Sequence, residues 1–447
     1  MPPATEMDTR FRVTEAQARE LVRQFGTPLY VLNETLLRKR AREYREALEA
    51  SYPKTKTAYA SKANTTLAVL AILHKEGCLI DVASEGELRA ALSAGVPAKH
   101  CHLHGNNKSA SELEFAIAAG VGGIVVDHFG EIEMLSQVVE RLNGSTDGPR
   151  RGAENGLHIL LRLAPGVDPI THRSISTGQE DTKFGFNIAN GSAERALLRC
   201  LELRLPVVGF HSHVGSQLLD PGAQRAAGEL LARFTVKMLQ EHGFRTEVLN
   251  VGGGLGARYT DADRPMPVGE YCRLIAAAVK PILTEAGLEP CLMHEPGRAL
   301  VAEAGVTLYR VGVVKDVPAG DRLRRYVCVD GGLADNPRPA LYGARYQVER
   351  IGAASGLHVT EVTVSGRHCE SDELFPRVQL PSDIAPGDIL QVLTTGAYSS
   401  SMASNYNRYP RPATVLIRGD GSFSLVQRGE TWDEMLAREL VPEDLLA

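Results

Sequence analysis

Polar and glycine residues stand at the carboxyl ends of eight short β-rich runs between residues 55 and 298. In chain order they are Lys62, Asp81, Ser84, Asn106, Asp127, Arg162, His213, the glycines 252–254 and the EPGR segment 295–298. Taken alone, each has an ordinary reading, since a lysine after a strand is usually solvated and a run such as GGGLG is usually a tight turn. As a set they combine an amine, carboxylates, an imidazole and backbone N–H groups. A purely structural sheet requires no such set, so we looked for chemistry that uses it.

Two histidine pairs, in HCHLHG and HSH, resemble the H-x-H arrangement of metal-dependent barrel hydrolases. Those enzymes carry the pair on their first strand with further ligands on later strands, whereas these pairs fall on the third and sixth runs. No carboxylate–histidine set that would complete a metal site is evident, so we predict no metal. His211 and His213 are two residues apart and would share a face of a regular strand, where one could be a hydrogen-bonded core histidine.

Pyridoxal phosphate is a cofactor that uses all of these groups together. It needs a lysine, a carboxylate for its pyridinium nitrogen, a group that packs on the ring, and N–H donors for its phosphate. Lys62, Glu295 and His213 supply the first three. The glycine loop that includes Gly254 supplies backbone N–H groups that can converge on a phosphate. A carboxylate keeps the ring nitrogen protonated, which makes the ring a strong electron sink for a carbanion.

The eight runs alternate with amphipathic stretches such as EGELRAALSAG and EIEMLSQVVERL, in which apolar residues recur every three or four positions. This alternation predicts an α/β fold, a (β/α)₈ barrel that presents the strand ends on one face. An open doubly wound sheet is the alternative, because periodicity does not show closure. Two polar loops, 143–156 and 170–186, interrupt the pattern, and the second is long enough for us to expect a functional loop.

After about residue 306 the pattern changes to strands joined by turns, as in RRYVCVDGG, HVTEVTVSG and DILQVLTTG. We therefore expect the barrel over 36–305 and a mostly antiparallel β domain over 306–447. The run TPLYVLN, which precedes the barrel, is a strand that would join the β domain, so 1–35 is assigned there too.

Composition narrows the class of protein. The chain has 447 residues, a net charge of −5, 43% hydrophobic and 23% charged residues, which is ordinary for a soluble enzyme and gives no basic field for nucleic acid or an anionic membrane. We see neither a signal-peptide-like start nor a membrane-spanning run. Seven scattered cysteines without a CxxC pair favour free thiols in a reducing cytoplasm.

Seven motifs, in order over nearly the whole chain, resemble those of the diaminopimelate decarboxylases, which are fold-type III pyridoxal-phosphate enzymes. The motifs are YASKAN, HSHVGSQ, NVGGGLG, EPGR, DGGLADNPRPALYGARY, HCESDELF and GAYSSSMASNYN. The resemblance implies an alanine-racemase-type barrel plus a β domain, and a homodimer. It also implies decarboxylation of meso-2,6-diaminopimelate to L-lysine and CO₂, the last step of lysine biosynthesis.

The resemblance also assigns roles in cofactor binding. It implies that Lys62 binds the cofactor covalently, that His213 stacks on its ring, and that Glu295 binds the pyridine nitrogen. Asp81 is expected to support His213. The phosphate-binding residues it implies are Ser216, Gly254, Glu295, Pro296, Gly297, Arg298 and Tyr398.

For the substrate, the resemblance makes Cys369 the proton donor, which together with Glu370 completes the active site of the partner subunit. The substrate-binding residues it implies are Arg298, Arg338, Tyr342 and Tyr398 toward the distal carboxylate and Glu370 toward the distal ammonium. Lysine and ornithine lack that carboxylate, and leaving buried arginines unpaired can discriminate by ~10⁴. Most free cysteines are inert buried thiols, but the neighbouring Arg367 and His368 favour a tuned thiol.

One departure concerns the substrate loop, where Asp372-Glu373 replaces the family's Gly-Asp after Cys-Glu-Ser. Loss of the glycine removes backbone freedom and adds negative charge beside Glu370. Two alternatives therefore stay open: a decarboxylase of lysine, ornithine or a modified amino acid, and a non-catalytic regulatory homologue. The presence of both Lys62 and Cys369 disfavours the second, and a racemase lacks an evident second base.

Overall fold

The computed structural model describes residues 8–143, 157–167, 183–320, 322–352, 358–370 and 373–446. They form two compact units. The barrel unit comprises the described residues of 37–257 and 264–300, and the β unit comprises those up to Leu36, 258–263 and from Val301 onward. Of the two predicted loops, nearly all of 143–156 and most of 170–186 lie outside the described residues.

The strands, in chain order, are β1 (Leu29–Asn33), β2 (Thr55–Ala60), β3 (Leu79–Val82), β4 (Cys101–Leu103), β5 (Gly123–Val126), β6 (His158–Ala164), β7 (Phe186–Asn187), β8 (Val207–His211), β9 (Val248–Asn250), β10 (Cys291–His294), β11 (Gly305–Ala319), β12 (Arg322–Val329), β13 (Val348–Arg350), β14 (Val359–Ser365), β15 (Phe375–Pro381), β16 (Ile389–Leu393), β17 (Ala413–Ile417) and β18 (Phe423–Gln427).

The α-helices are α1 (Glu15–Phe25), α2 (Glu34–Glu49), α3 (Leu67–Lys75), α4 (Glu85–Ser93), α5 (Ala110–Ala119), α6 (Phe129–Asn143), α7 (Ser192–Glu202), α8 (Gly222–His242), α9 (Val268–Glu285), α10 (Arg298–Val301), α11 (Arg338–Tyr342) and α12 (Trp432–Leu436). Short 3₁₀ turns cover Ser61–Ala63, Ala98–His100, Ala302–Ala304, Ser400–Met402, Tyr406–Arg408 and Glu443–Leu445.

The barrel unit closes. Its parallel strands follow the order β5-β4-β3-β2-β10-β9-β8-β6, and β6 pairs with β5 through registers such as Gly123 with His158. All eight predicted strands are present, so the (β/α)₈ barrel is confirmed and the open doubly wound sheet is excluded. Closure brings the carboxyl ends of the eight strands to one face.

The helices begin where their sequences predict. Ser84 caps α4 by accepting a hydrogen bond from the Glu87 N–H, and Ser109 forms a capping box with Glu112 at the start of α5. These caps satisfy backbone donors that a helix start otherwise leaves open. The polar residue Ser84, which ends a strand in the sequence, therefore has a structural role.

The β unit is a mostly antiparallel sheet, as predicted. Its strands follow the order β15-β14-β12-β11-β1-β17-β18, with β16 pairing β11 and β13. Only the β1–β17 and β12–β14 pairings among these described strands are parallel. The apolar core on this sheet includes Leu29, Val31, Leu308, Leu393 and Val415.

None of the helices within the described ranges is both long and apolar enough to cross a membrane. All seven cysteines lie within those ranges, and each is a free thiol.

Candidate active site

The chain turns sharply at the end of β2, and Lys62 lies in that turn. Ser61–Ala63 form a 3₁₀ turn directly after the strand. Ala60 N donates to Pro296 O over 3.1 Å, which joins the end of β2 to the EPGR segment. The buried Tyr59 donates its hydroxyl to Asn64 O over 2.9 Å on the other side of the turn. The turn is thus anchored on both sides of Lys62, whose own side chain is exposed.

Glu295 follows β10, and its carboxylate is buried among donors from other strands. His211, the last residue of β8, places Nε2 3.0 Å from Glu295 Oε2. Asn250, the last residue of β9, donates from Nδ2 to Glu295 Oε1 over 2.5 Å. His104, which follows β4, places Nε2 3.1 Å from the same oxygen. Both carboxylate oxygens therefore have partners, and the group is held in one orientation.

The charges in this cluster favour an ionised Glu295. Burial opposes ionisation, yet the imidazoles of His104 and His211 hold the pKa of Glu295 well below its ordinary value. Burial lowers the pKa of His211 to about 4, so this ring is neutral near pH 7. Burial also lowers the pKa of His104, but the carboxylates of Asp81 and Glu295 outweigh it and raise that pKa above its ordinary value. The site thus keeps an anion on Glu295 beside a cationic His104.

Asp81 completes the cluster from β3. Its Oδ1 lies 3.3 Å from His104 Nε2, because β3 and β4 are neighbours in the barrel. We expected Asp81 to support His213, but its described ion pair is with His104. Burial raises the pKa of Asp81 to about 7, with His104 and Lys62 opposing the rise and Glu295 adding to it.

His213 and the glycine loop lie against each other beyond β8 and β9. Gly253 N donates to His213 Nδ1 over 3.4 Å. Burial lowers the pKa of His213 to about 3, and the charge of Lys62 adds to that shift, so the ring is neutral. Gly252 has φ +72° and Gly254 φ +139°, conformations that favour glycine.

The predicted phosphate-binding residues of the barrel unit come together around this loop. Arg298 Nη2 donates to Ser216 Oγ over 3.0 Å. A Cβ on Gly254 would lie 2.9 Å from Gly215 O, and one on Gly253 would lie 2.0 Å from Glu295 O. The loop can therefore pack against both 215–216 and 295–298 only because it has no side chains.

Pyridoxal phosphate fits this set of groups. An anion at Glu295 matches a protonated pyridine nitrogen, and the neutral ring of His213 can pack on an aromatic ring without adding charge. The side-chain-free loop at 252–254 leaves backbone N–H groups for a phosphate. Lys62 is close enough to His213 for its charge to lower the pKa of that ring.

A second buried network supports the strand ends around β5. Lys108 Nζ donates to Gly105 O over 2.7 Å, to Val125 O over 2.8 Å and to Glu131 Oε1 over 2.6 Å. Glu131 Oε2 in turn accepts from Asp127 N over 2.9 Å. This ion pair has full hydrogen bonding in the barrel interior, and it orients the β5–α6 turn.

Asp127 continues this network toward β6. Its Oδ2 accepts from Gly185 N over 3.2 Å, and its Oδ1 lies 3.6 Å from Arg162 Nη1. The guanidinium of Arg162 lies 4.2 Å from the ring centroid of Phe184. Asp127 and Arg162 are thus joined to the end of the 170–186 loop that the structure describes.

The remaining predicted residues lie in the β unit and are described within it. Arg338 is 6% exposed, donates from Nη1 to Tyr346 Oη over 2.6 Å, and lies 4.7 Å from the ring centroid of Tyr259. Tyr342 is 68% exposed. Tyr398 is half-buried and has φ +57°.

Cys369 and Glu370 are both exposed on the β unit. Cys369 N donates to Asn407 Oδ1 over 2.8 Å, and Glu370 Oε1 accepts from the hydroxyl of Tyr406. Arg367 and His368 have ring contacts with Tyr409, at 3.8 Å and 5.2 Å to the centroid. Asp372 lies outside the described residues, so its effect stays a prediction.

Sequence analysis missed three members of the Glu295 cluster, namely His104, His211 and Asn250. His211 was considered only as a core histidine, and Asn250 was read as part of the glycine motif. The ligand atoms of His104, His211 and Glu295 lie within 4.8 Å of one another, a carboxylate–histidine set that the sequence spacing did not indicate. Their hydrogen bonds account for this proximity, and the absence of a metal stays a prediction.

Comparison with known proteins gives a consistent result. A family model described as "Pyridoxal-dependent decarboxylase, pyridoxal binding domain" matches residues 35–302. The chain is 42% identical over 423 residues to the diaminopimelate decarboxylase of Bacillus subtilis, covering 94% of this chain and 93% of the relative. It is 44% identical over 429 residues to that of Actinosynnema pretiosum subsp. auranticum, covering 95% and 91%.

Among solved structures, the diaminopimelate decarboxylase from M. jannaschii in complex with L-lysine aligns with a TM-score of 0.86. The two sequences are 34% identical, and the alignment covers 98% of each chain. Since the family model matches more than half of the chain and the relatives match nearly all of it, this chain belongs to the diaminopimelate decarboxylase family of pyridoxal-dependent decarboxylases.

Proposed function

We propose that this protein decarboxylates meso-2,6-diaminopimelate to L-lysine and CO₂ with pyridoxal phosphate as cofactor. The observation that carries this conclusion is its similarity, over 94–95% of the chain, to diaminopimelate decarboxylases. The anionic Glu295 at the carboxyl face of the barrel supports the same cofactor chemistry.

In this proposal the barrel residues hold the cofactor. Lys62 binds it covalently, Glu295 keeps its ring nitrogen protonated, His213 packs on its ring, and Ser216 and the loop containing Gly254 bind its phosphate. Bound pyridoxal phosphate supplies an electron sink for the electron pair left when the bond to the α-carboxylate breaks. His104, His211 and Asn250 act on this step by holding Glu295 ionised and oriented.

Arg338 is the proposed determinant of substrate choice. Its guanidinium is buried against tyrosine rings and can meet a carboxylate through two parallel hydrogen bonds. A substrate without a distal carboxylate would leave this buried cation unpaired, which can discriminate by ~10⁴. Arg298 and Tyr342 are proposed to share the distal carboxylate, and Tyr398 to contact substrate and phosphate.

Cys369 is proposed to donate a proton from Sγ to the α-carbon after CO₂ has left. Glu370, the next residue, is proposed to accept hydrogen bonds from the distal ammonium. Both side chains are exposed on their own unit. We propose that they complete the active site of a second copy in a homodimer, and that the seven free thiols reflect a reducing cytoplasm.

The test is CO₂ release by the purified protein loaded with pyridoxal phosphate. Meso-diaminopimelate, L-lysine, L-ornithine and L-arginine are offered separately. Turnover of diaminopimelate alone is expected. Turnover of another amino acid instead would keep the cofactor but overturn the substrate, and no release from any of them would favour a regulatory homologue.

A further inference from the structure

The segment that carries Cys369 and Glu370 rests on a turn formed by residues 405–409, which we name the 405–409 turn. Cys369 N donates to Asn407 Oδ1 over 2.8 Å. The hydroxyl of Tyr406 donates to Glu370 Oε1. Two consecutive residues of the turn therefore hold two consecutive residues of the substrate loop. Sequence analysis assigned no role to Tyr406 or Asn407.

The 405–409 turn has its own supports. Asn407 has φ +52° and ψ +24°, a left-handed conformation that asparagine adopts more readily than most residues. Asn405 Nδ2 donates to Tyr409 O over 3.2 Å, which closes the turn. Arg408 Nη1 lies 2.5 Å from Glu439 Oε1. The turn is thus a preorganised support for the substrate loop.

His368 fixes the start of the substrate loop by packing. Its ring lies nearly parallel to that of Tyr406, at 6.0 Å between centroids and 22° between planes. It meets Tyr409 edge to face at 5.2 Å and 83°. A Cβ on Gly332 would lie 2.4 Å from His368 Nδ1, so the ring fits only over a glycine. Burial, with Arg367 adding to it, lowers the pKa of His368, so the ring is a neutral packing group.

The contact between Tyr406 and Glu370 orients a charged group. The hydrogen bond to Glu370 raises the pKa of Tyr406, so its hydroxyl stays protonated and remains a donor at neutral pH. A carboxylate has two oxygens, and engaging Oε1 restricts rotation of the group while Oε2 remains an acceptor.

We propose that Tyr406 and Asn407 are positioning residues for the reaction. Tyr406 orients the Glu370 carboxylate that receives the distal ammonium. Asn407 holds the backbone at Cys369 so that the thiol reaches the α-carbon. This inference rests on the proposed function and assigns residues to its specificity and protonation steps.

The two roles predict different kinetic effects. Decarboxylation removes CO₂ from one amino-acid centre and leaves the other intact, so L-lysine keeps the distal ammonium of the substrate. Tyr406 should therefore contribute equally to substrate and product binding, which changes KM without changing kcat. Asn407 acts on proton delivery, so its loss should lower kcat.

The first experiment compares Tyr406→Phe with Tyr409→Phe. Removing one hydrogen bond to a charged group should raise KM for diaminopimelate and Kd for L-lysine together by ~5–20-fold, with kcat within about 3-fold. Tyr409→Phe keeps the ring that packs on His368 and should change each constant by less than about 2-fold. Unchanged KM and Kd in Tyr406→Phe, or equal losses in both variants, would overturn the role of Tyr406.

The second experiment separates the acceptor of Asn407 from its backbone. Asn407→Asp keeps an acceptor oxygen, whereas Asn407→Gly keeps the left-handed conformation and loses the acceptor. We expect kcat within about 3-fold of wild type for Asp and ~5–20-fold lower for Gly. Equal kcat in wild type and the Gly variant would overturn the role of Asn407.

A measurement that does not depend on turnover separates this inference from the proposed function. If the wild-type protein does not decarboxylate diaminopimelate, the proposed function fails. The Tyr406 contact is then tested by ¹³C NMR of tyrosine-labelled protein, with the resonance assigned through its loss in Tyr406→Phe. A pKa of Tyr406 that is raised in wild type and falls in Glu370→Gln supports the contact. A pKa that is the same in both proteins overturns it.

Discussion

Replacing Gly253 by alanine forces the glycine loop away from the EPGR segment. The new Cβ would lie 2.0 Å from Glu295 O and 2.8 Å from Glu295 C, whereas real Cβ atoms stay beyond 3.0 Å. One backbone segment must therefore move by at least about 1 Å. A misplacement of this size near reacting groups costs ~10² in rate, so we expect kcat to fall by about that factor. The strain should also lower the free energy of unfolding by about 1–3 kcal/mol.

Gly122→Ala is a matched control for this clash. Its Cβ would lie 2.1 Å from Lys99 O, but Gly122 precedes β5 and lies at the amino end of the barrel. The loss of stability should be similar, about 1–3 kcal/mol. Because this end does not carry the candidate active site, kcat should stay within about 3-fold of wild type.

The assay combines CO₂ release from diaminopimelate at saturating cofactor, titration with pyridoxal phosphate, and unfolding in urea. We expect Gly253→Ala to bind the cofactor more weakly, because its loop supplies the phosphate donors. Wild-type kcat and cofactor affinity in Gly253→Ala, at a measured loss of stability, would refute the placement of the site. Equal losses of activity in both variants would show that the effect is general.

Four further changes test other parts of the structure. Lys62→Ala should abolish the absorbance of protein-bound cofactor after dialysis, and a variant that keeps it would contradict the assignment of the lysine. Lys108→Met should lower the free energy of unfolding in urea by about 3–5 kcal/mol because it leaves Glu131 buried without its cation, and a loss below about 1 kcal/mol would contradict this. The folded-state pKa of Asp81, about 7, lies above its ordinary 3.8, so the folded protein binds the extra proton and stability falls as pH rises between those values. Asp81→Asn should therefore give a shallower fall in the urea-unfolding free energy between about pH 4 and 7, and an equally steep fall would count against the shift. Arg338→Lys keeps the charge but loses the fork, so KM for diaminopimelate should rise by ~10–10²-fold, and an unchanged KM would exclude Arg338 from carboxylate binding.

Much of the fold was predictable because each barrel strand is short, apolar and separated from the next by an amphipathic helix. The eight barrel runs and the antiparallel character of the C-terminal strands follow from that local pattern. Strands β13 and β15 were not predicted. The first is three residues long, and the second shows the burial pattern BeeieBB, which lacks strict alternation. Such segments form strands because a neighbouring strand pairs with them.

The sequence alone determined which reactive groups are present and that they follow strands. Lys62, His213 and Glu295 were identifiable for that reason, and parallel strands place their carboxyl ends on one face. Only the tertiary structure decided which groups meet. Glu295 is 84 positions from His211 and 45 from Asn250, and closure of the barrel brings both within hydrogen-bonding distance of its carboxylate. The ionisation of Glu295 is likewise a tertiary property, because burial and the neighbouring imidazoles exist only after the strands have assembled.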